Sequence, residues 1–391
     1  MNLPSPFLTF LGCLIMTSSA FAQSTNPIVS KWLVNNTGIK GRHYVSGNTT
    51  PISDAVFANV QSVQYSNTNV YITTNGIPAY ITGPFLDGNP TVASTQNGAI
   101  FKFPLNPTQN TGTLSPTTGG NIGIFINGVA LFDYRDGVSW NNTSKKVCGG
   151  PIRTCTGDGI WNRDAVRGEI LGFDCAKAHP ANGNYHHHQN PSAFNLDLLE
   201  ISTICSTYPS DGLYVINPNQ HSPLIGFAYD GFPIYGAYAY ANTDGTGGIV
   251  RMKSGYQYKN ITTRTNGPDV AGVYTLGYFR EDYEFVAHPN DASYLDEHNG
   301  RFCITPEYPN GIYCYFATVD ANHNSAYPYA VGPNFYGTKV AQKVNAVTES
   351  TTTLANTKFN SSNLKVVIYP NPAQDFIAIQ SQMVEDELPL N

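Results

Sequence analysis

Apolar and polar positions change rhythm twice between residues 23 and 340. From residue 23 to about 130 the apolar positions recur at the spacing of strands. Val70-Tyr71-Ile72-Thr73-Thr74 reads as a strand that runs into a turn at Asn75-Gly76-Ile77-Pro78, and Ala99 to Pro104 reads as another. Ile124-Phe125-Ile126 is followed by Asn127-Gly128, a strong hairpin signal, which makes Leu131-Phe132-Asp133-Tyr134 the return strand. Between residues 140 and 210 the rhythm breaks. Asn162–Phe173 and Ala193–Ile201 each carry one short helical face, with a turn-rich, histidine-bearing segment between them. Strand and turn patterns resume from 211 to 340, crowded with tyrosine. No repeat of fixed period appears.

The two ends differ from the middle. Phe7 to Met16 is an apolar run too short to span a membrane, and Ala20-Phe21-Ala22 matches a cleavage pattern, so residues 1–22 are expected to be a signal peptide. A lipoprotein signal at Leu11-Gly12-Cys13 is the alternative, but it would leave an apolar stretch on the mature chain. Residues 341–363 are rich in Thr, Ser and Asn, the composition of a polar linker. Leu364 to Tyr369 then reads as a strand, Pro370-Asn371-Pro372 as a rigid turn, and Asp375 to Gln380 as an alternating second strand.

Composition narrows the class. Of 391 residues, 41 % are hydrophobic, so a sizeable core can form, while 12 % are charged, about half the usual share. The polar surface must come from uncharged side chains. With 25 Tyr, 36 Gly and 26 Pro, many short strands and tight turns are expected. The fold class is therefore mostly β: a β-sandwich or open barrel with long loops and a few short helices. A net charge of −6 without a basic cluster speaks against a nucleic-acid partner. Seven cysteines are present. Cys13 would leave with the signal, and an even set would reach an oxidising compartment, which favours disulfides. The sequence-local pairing joins Cys148 to Cys155, Cys175 to Cys205 and Cys303 to Cys314, one of 15 possible connectivities.

The candidate chemistry lies in the histidines. Four of nine cluster at His179, His186, His187 and His188. Strand geometry places alternate side chains on one face, so His186 and His188 would project together and His187 away from them. Such a pair, completed by His179 and by a distant Asp or His, is a metal-ligand pattern. Neutral imidazole suits copper, zinc, nickel or iron; copper is favoured and zinc comes second. Asp230 and His298 are the candidates for further ligands, and His323 is a weaker one. The bland alternative for Asp230 is a turn residue, because Asp230-Gly231 starts a turn whose Phe232, Ile234 and Tyr235 anchor it in the core. No nucleophile elbow, zinc-protease helix or phosphate loop occurs.

Four ordered motifs carry a family resemblance: Ile126 to Phe132, Gly183 to His188, Ile225 to Gly236, and Leu295 to Gly300 with Tyr327-Pro328-Tyr329. Together they resemble the YHYH domain family over roughly residues 120–337, with His187 standing where the name calls for Tyr. The resemblance implies metal binding through the histidines and no settled activity. At the C-terminus, Tyr369-Pro370-Asn371-Pro372-Ala373 followed by Asp375-Phe376-Ile377 resembles a shortened C-terminal sorting domain of the type IX secretion system of Bacteroidetes. That implies passage through this secretion machinery to the cell surface or medium.

The expected organisation is a signal peptide at 1–22, an N-terminal β region at 23–119, a YHYH domain at 120–340, a linker at 341–363 and a sorting tail at 364–391. The expected function is an exported, metal-binding protein without a transmembrane segment. Two alternatives are a metal-dependent extracellular enzyme, an oxidase or hydrolase acting on polymer, and a glycan-binding surface module built on exposed tyrosines.

Overall fold

The computed structural model describes residues 25–86, 97–150 and 155–354, and the backbone of two further strands, Leu364–Tyr369 and Ala378–Met383. The expected signal peptide, the turn of the expected sorting tail at 370–377 and the chain from 384 onward lie outside the described residues. Among the described residues, no helix is long and apolar enough to cross a membrane.

Alternation becomes strand where one face can be buried. Ala99–Pro104 alternates buried and half-buried positions along its length. It lies in a five-stranded sheet, ordered Gln342–Val344, Ala99–Pro104, Asn69–Thr74, Val60–Tyr65 and Thr352–Thr353. An eight-stranded sheet runs Ala178–Ala181, Asn184–His187, Ala130–Phe132, Asn121–Phe125, Leu224–Ala228, Pro233–Tyr235, Ile312–Phe316 and Gly300–Cys303. Its pairings are antiparallel except two: Asn184–His187 beside Ala130–Phe132, and Pro233–Tyr235 beside Ile312–Phe316. One hydrophobic core joins the two sheets. Trp32 marks the join, its ring 5.7 Å from Phe103 of one sheet and 5.2 Å from Phe227 of the other. This is the sandwich-like architecture expected of a mostly β chain.

Several local expectations are met. Asn127-Gly128 turns the chain between Asn121–Phe125 and Ala130–Phe132, with Gly128 at φ 79°. Leu364–Tyr369 pairs antiparallel with Ala378–Met383, so the second strand of the tail lies slightly later than its alternation suggests. The two expected helices shrink to single turns: Ala165–Gly168 with Ile170–Gly172, and Phe194–Leu196. Gly168 and Gly172 end the first pair, where glycine is a poor helix residue. The described part of the Thr/Ser/Asn-rich segment after 341 does not hang free. Gln342–Val344 and Thr352–Thr353 supply both edges of the five-stranded sheet. Edge pairing is made by the backbone, so it leaves little hydrophobic signal.

The cysteines correct one expectation. Cys148–Cys155 and Cys175–Cys205 are bridged, but Cys303 and Cys314 are free and buried. Their strands pair Cys303 with Ile312 and Arg301 with Cys314. The two cysteines are therefore diagonal neighbours on one face rather than directly opposed. The Cys303 thiol is pulled down to about 7, chiefly by its hydrogen bond with Cys314 and against its burial.

Three interior carboxyls take a tyrosine hydroxyl as partner in place of a cation. Tyr329 O–H donates to Asp164 at 2.8 Å, Tyr185 O–H to Asp174 at 2.8 Å, and Tyr315 O–H to Asp230 at 2.6 Å. All three Asp residues are fully buried. Burial pushes Asp230 up to about 6, against the Tyr315 hydroxyl and the Gly337 and Phe232 amides that hold it down.

Two outcomes follow. The unfolded Asp230 carboxyl titrates near 3.8, so the native state holds its proton more tightly. Its contribution to stability is complete below that pH and is lost as pH rises through 6. Thermal melts across this window should show Asp230→Asn with a shallower fall in stability toward neutral pH than the parent. Separately, the Cys175–Cys205 bridge spans 30 residues; Cys205→Ser should lower the unfolding free energy by about 3 kcal/mol in a denaturant titration.

Candidate metal centre

The site is built on a tight hairpin. Ala181 pairs with Asn184, leaving Asn182-Gly183 as a two-residue loop with both φ angles positive, at 49° and 76°. This is the conformation Asn-Gly favours, and its twist matches the flanking strands. The register that follows sets His179 directly opposite His186. Opposed residues in an antiparallel pair share a face, and His188, two residues beyond His186, falls on the same side. The ligand nitrogens of His179, His186 and His188 all lie within 4.8 Å of one another.

The other face of the strand does different work. His187 Nε2 lies 2.8 Å from the Tyr80 hydroxyl, and its ring packs edge-on to Phe125 at 5.4 Å. Burial lowers His187 to about 3, so it is a neutral core residue. Tyr185 also faces this side, toward Asp174. Asp174 takes the Gly83 amide at 2.9 Å and the Ala178 amide at 3.2 Å as well. One carboxyl thus ties the N-terminal region, the approach to the hairpin and the hairpin itself.

The three cluster imidazoles are aimed by their surroundings. His186 Nδ1–H donates to the Asn184 carbonyl at 2.8 Å, and His188 Nδ1–H donates to the Asp133 carbonyl at 2.5 Å. A carbonyl only accepts, so each Nδ1 carries the hydrogen and each neutral ring presents a bare Nε2 lone pair. Phe132 stacks on His186 at 3.7 Å, and Phe173 packs against His179 at 5.0 Å. Burial, then the neighbouring His188 and His179, push His186 well below the ordinary imidazole value. The two Nε2 atoms of His186 and His188 nevertheless lie 3.0 Å apart. Two lone pairs at that distance repel unless a cation lies between or beside them.

A fourth group supplies negative charge. Glu169 Oε2 lies 3.1 Å from His179 Nε2 and 3.2 Å from His188 Nε2. This oxygen is buried, and its neighbours are these two ring nitrogens. Burial raises this carboxyl, but hydrogen bonds and charge from His179 and His188, when those rings are protonated, more than reverse the effect and hold it below the usual carboxylate range. Glu169 caps the single helical turn Ala165–Gly168 at its C-terminus. Gly168 beside it has no room for a side chain, since a Cβ there would approach Arg163 Nε to 2.5 Å and Asp136 Oδ2 to 2.9 Å. Glu169, His179, His186 and His188 all line a cleft of about 890 Å³, with Phe132, Arg135 and Leu171 among its other walls.

Of the expected ligands, the structure brings His179, His186 and His188 together and keeps the others apart. Asp230 is a structural turn carboxyl, held by Tyr315 and by the Gly337 amide at 2.8 Å. His298 points its Nδ1 to the Asn334 carbonyl at 2.9 Å and packs near Tyr336. His323 lies 2.9 Å from the Tyr238 hydroxyl. Glu169 was missed, and nothing in its neighbourhood, one carboxylate in a short irregular turn, marked it in advance. Asn182-Gly183 was the unused signal, because a two-residue turn there already sets His179 against His186.

The donor set fits a metal ion. Three buried imidazole nitrogens converge, two of them oriented by Nδ1–H bonds to carbonyls in the manner of metal-ligating histidines. The Glu169 carboxylate oxygen lies beside two of them. The turn can be tested first. Gly183→Val forces a β-branched residue into a left-handed conformation, which should cost about 1–2 kcal/mol in a chemical denaturation experiment.

A family model described as YHYH protein matches residues 100–327. No curated protein and no solved structure matches the chain.

Proposed function

We propose that this chain, which belongs to the YHYH family, is an exported metal-binding protein. It holds one transition-metal ion through His179, His186 and His188, with Glu169 as a carboxylate ligand and the ion facing the cleft. The convergence of three oriented imidazoles within 4.8 Å carries the reading. The carboxylate oxygen makes the donor set harder than imidazoles alone, which favours a divalent ion: copper(II) or zinc over copper(I). Two disulfides are compatible with an oxidising compartment. Export through the residue 1–22 signal and the type IX sorting tail belongs to the same proposal.

A second reading, a metal-dependent extracellular enzyme, draws support from the cleft. Structural metal sites are closed by protein, whereas catalytic ones keep a face open to substrate. Here the ligands form one wall of an open cleft large enough for a segment of polymer. A bound ion would supply Lewis-acid or redox chemistry. The protein's own part is to hold the imidazoles by their Nδ1 bonds and to place Glu169 against them. The glycan-module alternative loses its support, because Tyr80, Tyr134, Tyr185, Tyr214, Tyr235, Tyr315, Tyr327 and Tyr329 are buried and leave few rings for an exposed platform.

Metal analysis of the purified chain provides the test. The parent should retain about one equivalent of copper or zinc after gel filtration, and the His186→Ala/His188→Ala double variant should retain none. Equal metal content in both would reject the site. Glu169→Gln should weaken binding by at least the roughly 10–100-fold that loss of a supporting group costs.

A further inference from the structure

Near the histidine cluster lies a separate small core made almost wholly of tyrosine. Tyr134, Tyr327 and Tyr329 are buried together with Val166, and Tyr256 and Tyr283 pack against them. The main core mixes Phe, Ile, Val, Leu and Ala with its tyrosines. Phenylalanine would fill the same volume without a hydroxyl to accommodate. Packing alone therefore gives no reason for five phenols in one place.

The rings also form a continuous run. Tyr134 meets Tyr327 edge-on with ring centres 5.0 Å apart. Tyr327 stacks on Tyr283 at 4.1 Å, the planes within 6° of parallel. Tyr283 meets Tyr258 at 4.9 Å, and Tyr258 is 48 % exposed. At the inner end, Tyr134 directly follows Asp133, whose carbonyl takes the His188 Nδ1–H. Tyr329 branches from the run, 5.8 Å from Tyr327 and 6.4 Å from Tyr134, with its hydroxyl on the Asp164 carboxyl.

We infer that this run is a path for single electrons between the histidine site and the protein surface, drawing oxidising equivalents away from the cleft to Tyr258. The inference rests on the metal-site reading and adds that the bound ion is redox-active. The oxidant is hydrogen peroxide. At the surface, the Tyr258 phenol loses one electron and its O–H proton and becomes a neutral tyrosyl. The proton leaves to bulk water. The electron passes through Tyr283, Tyr327 and Tyr134 to the site. Each peroxide takes up two electrons and two protons from water and becomes two waters, so one reduction needs two passages; between them an external one-electron donor of the ascorbate class returns an electron to the Tyr258 tyrosyl, which regains its O–H proton from water. At the branch, Asp164 stands ready to accept the Tyr329 proton and return it without water entering the core. The ligand histidines and Phe132 are thereby spared oxidation.

The experiment uses the whole chain in two arms. In the first, copper-loaded protein receives peroxide and a nitroso spin trap, and peptide mass spectrometry reads two sites. The parent should carry trap adduct at Tyr258 and little added oxygen on the 184–188 peptide. Tyr327→Phe and Tyr283→Phe, each checked for an unchanged melting profile, should lose most of the Tyr258 adduct and gain oxygen on the histidines. In the second arm no metal is needed. A ruthenium photo-oxidant is tethered to Leu171→Cys on the cleft wall, an 83 % exposed position, a cobalt(III) ammine in solution takes its excited electron, and the same adduct is followed after light. Adduct at Tyr258 that is unchanged in both variants, in either arm, overturns the path. Failure to retain copper with a normal second arm rejects the metal reading and leaves the path standing.

Discussion

The interaction on which the rest depends is the bond from the Tyr185 hydroxyl to the buried Asp174 carboxyl. A chain this poor in lysine and arginine has few cations for its interior, and an isolated buried carboxylate is costly. Phenol oxygens take that place. Burial pushes Asp174 up to about 7, and donors from Tyr185, Gly83 and Ala178 converge on it. The N-terminal region, the loop after Gly172 and the histidine hairpin are joined at this one group. Once Tyr185 is committed inward, strand alternation leaves His186 and His188 no choice but the opposite face. The composition and the site are thus one matter: tyrosine-rich, charge-poor sequence supplies the anchors that aim the imidazoles.

Much of this was legible in the residues. Period-two alternation and the Asn127-Gly128 turn give the strands around the site. The spacing of His186 and His188 gives their shared face, and the opposite placement of His187 follows from the same rule. What stayed hidden depends on contacts between distant segments. Glu169 reaches the cluster because a short helical turn happens to end beside it, and single turns carry too little periodicity to read. Asp230 has the same sequence context whether it binds a metal or a tyrosine; only the position of Tyr315, 85 residues away, decides. Cys303 and Cys314 flank a turn, as bridged cysteines often do, but the register places them diagonally. The polar stretch after 341 reads as linker because edge strands need backbone rather than apolar side chains.

The hairpin also separates two kinds of residue within one short motif. Tyr185 belongs to the core with Tyr80, Phe85 and Val129, and His187 packs there against Tyr80, Phe125 and Tyr185. His186 and His188 belong to the cleft. A Tyr-to-His difference at 187 therefore alters a core contact, the one to Tyr80, and leaves the cleft face untouched. His can therefore stand here in place of the Tyr of the family's name without moving His186 or His188 off the cleft face.

The two-residue turn has a consequence for how the motif tolerates length changes. Side chains on a strand alternate strictly, so a slip of one position exchanges the two faces. A single residue inserted between Ala181 and Asn184 leaves every amino acid of the motif in place. If the strand shifted to absorb it, Tyr185 and His187 would turn to the cleft and the paired imidazoles to the interior. The spacing of the loop is in that sense part of what makes the histidine cluster, and substitution scans, which preserve spacing, would never reveal it.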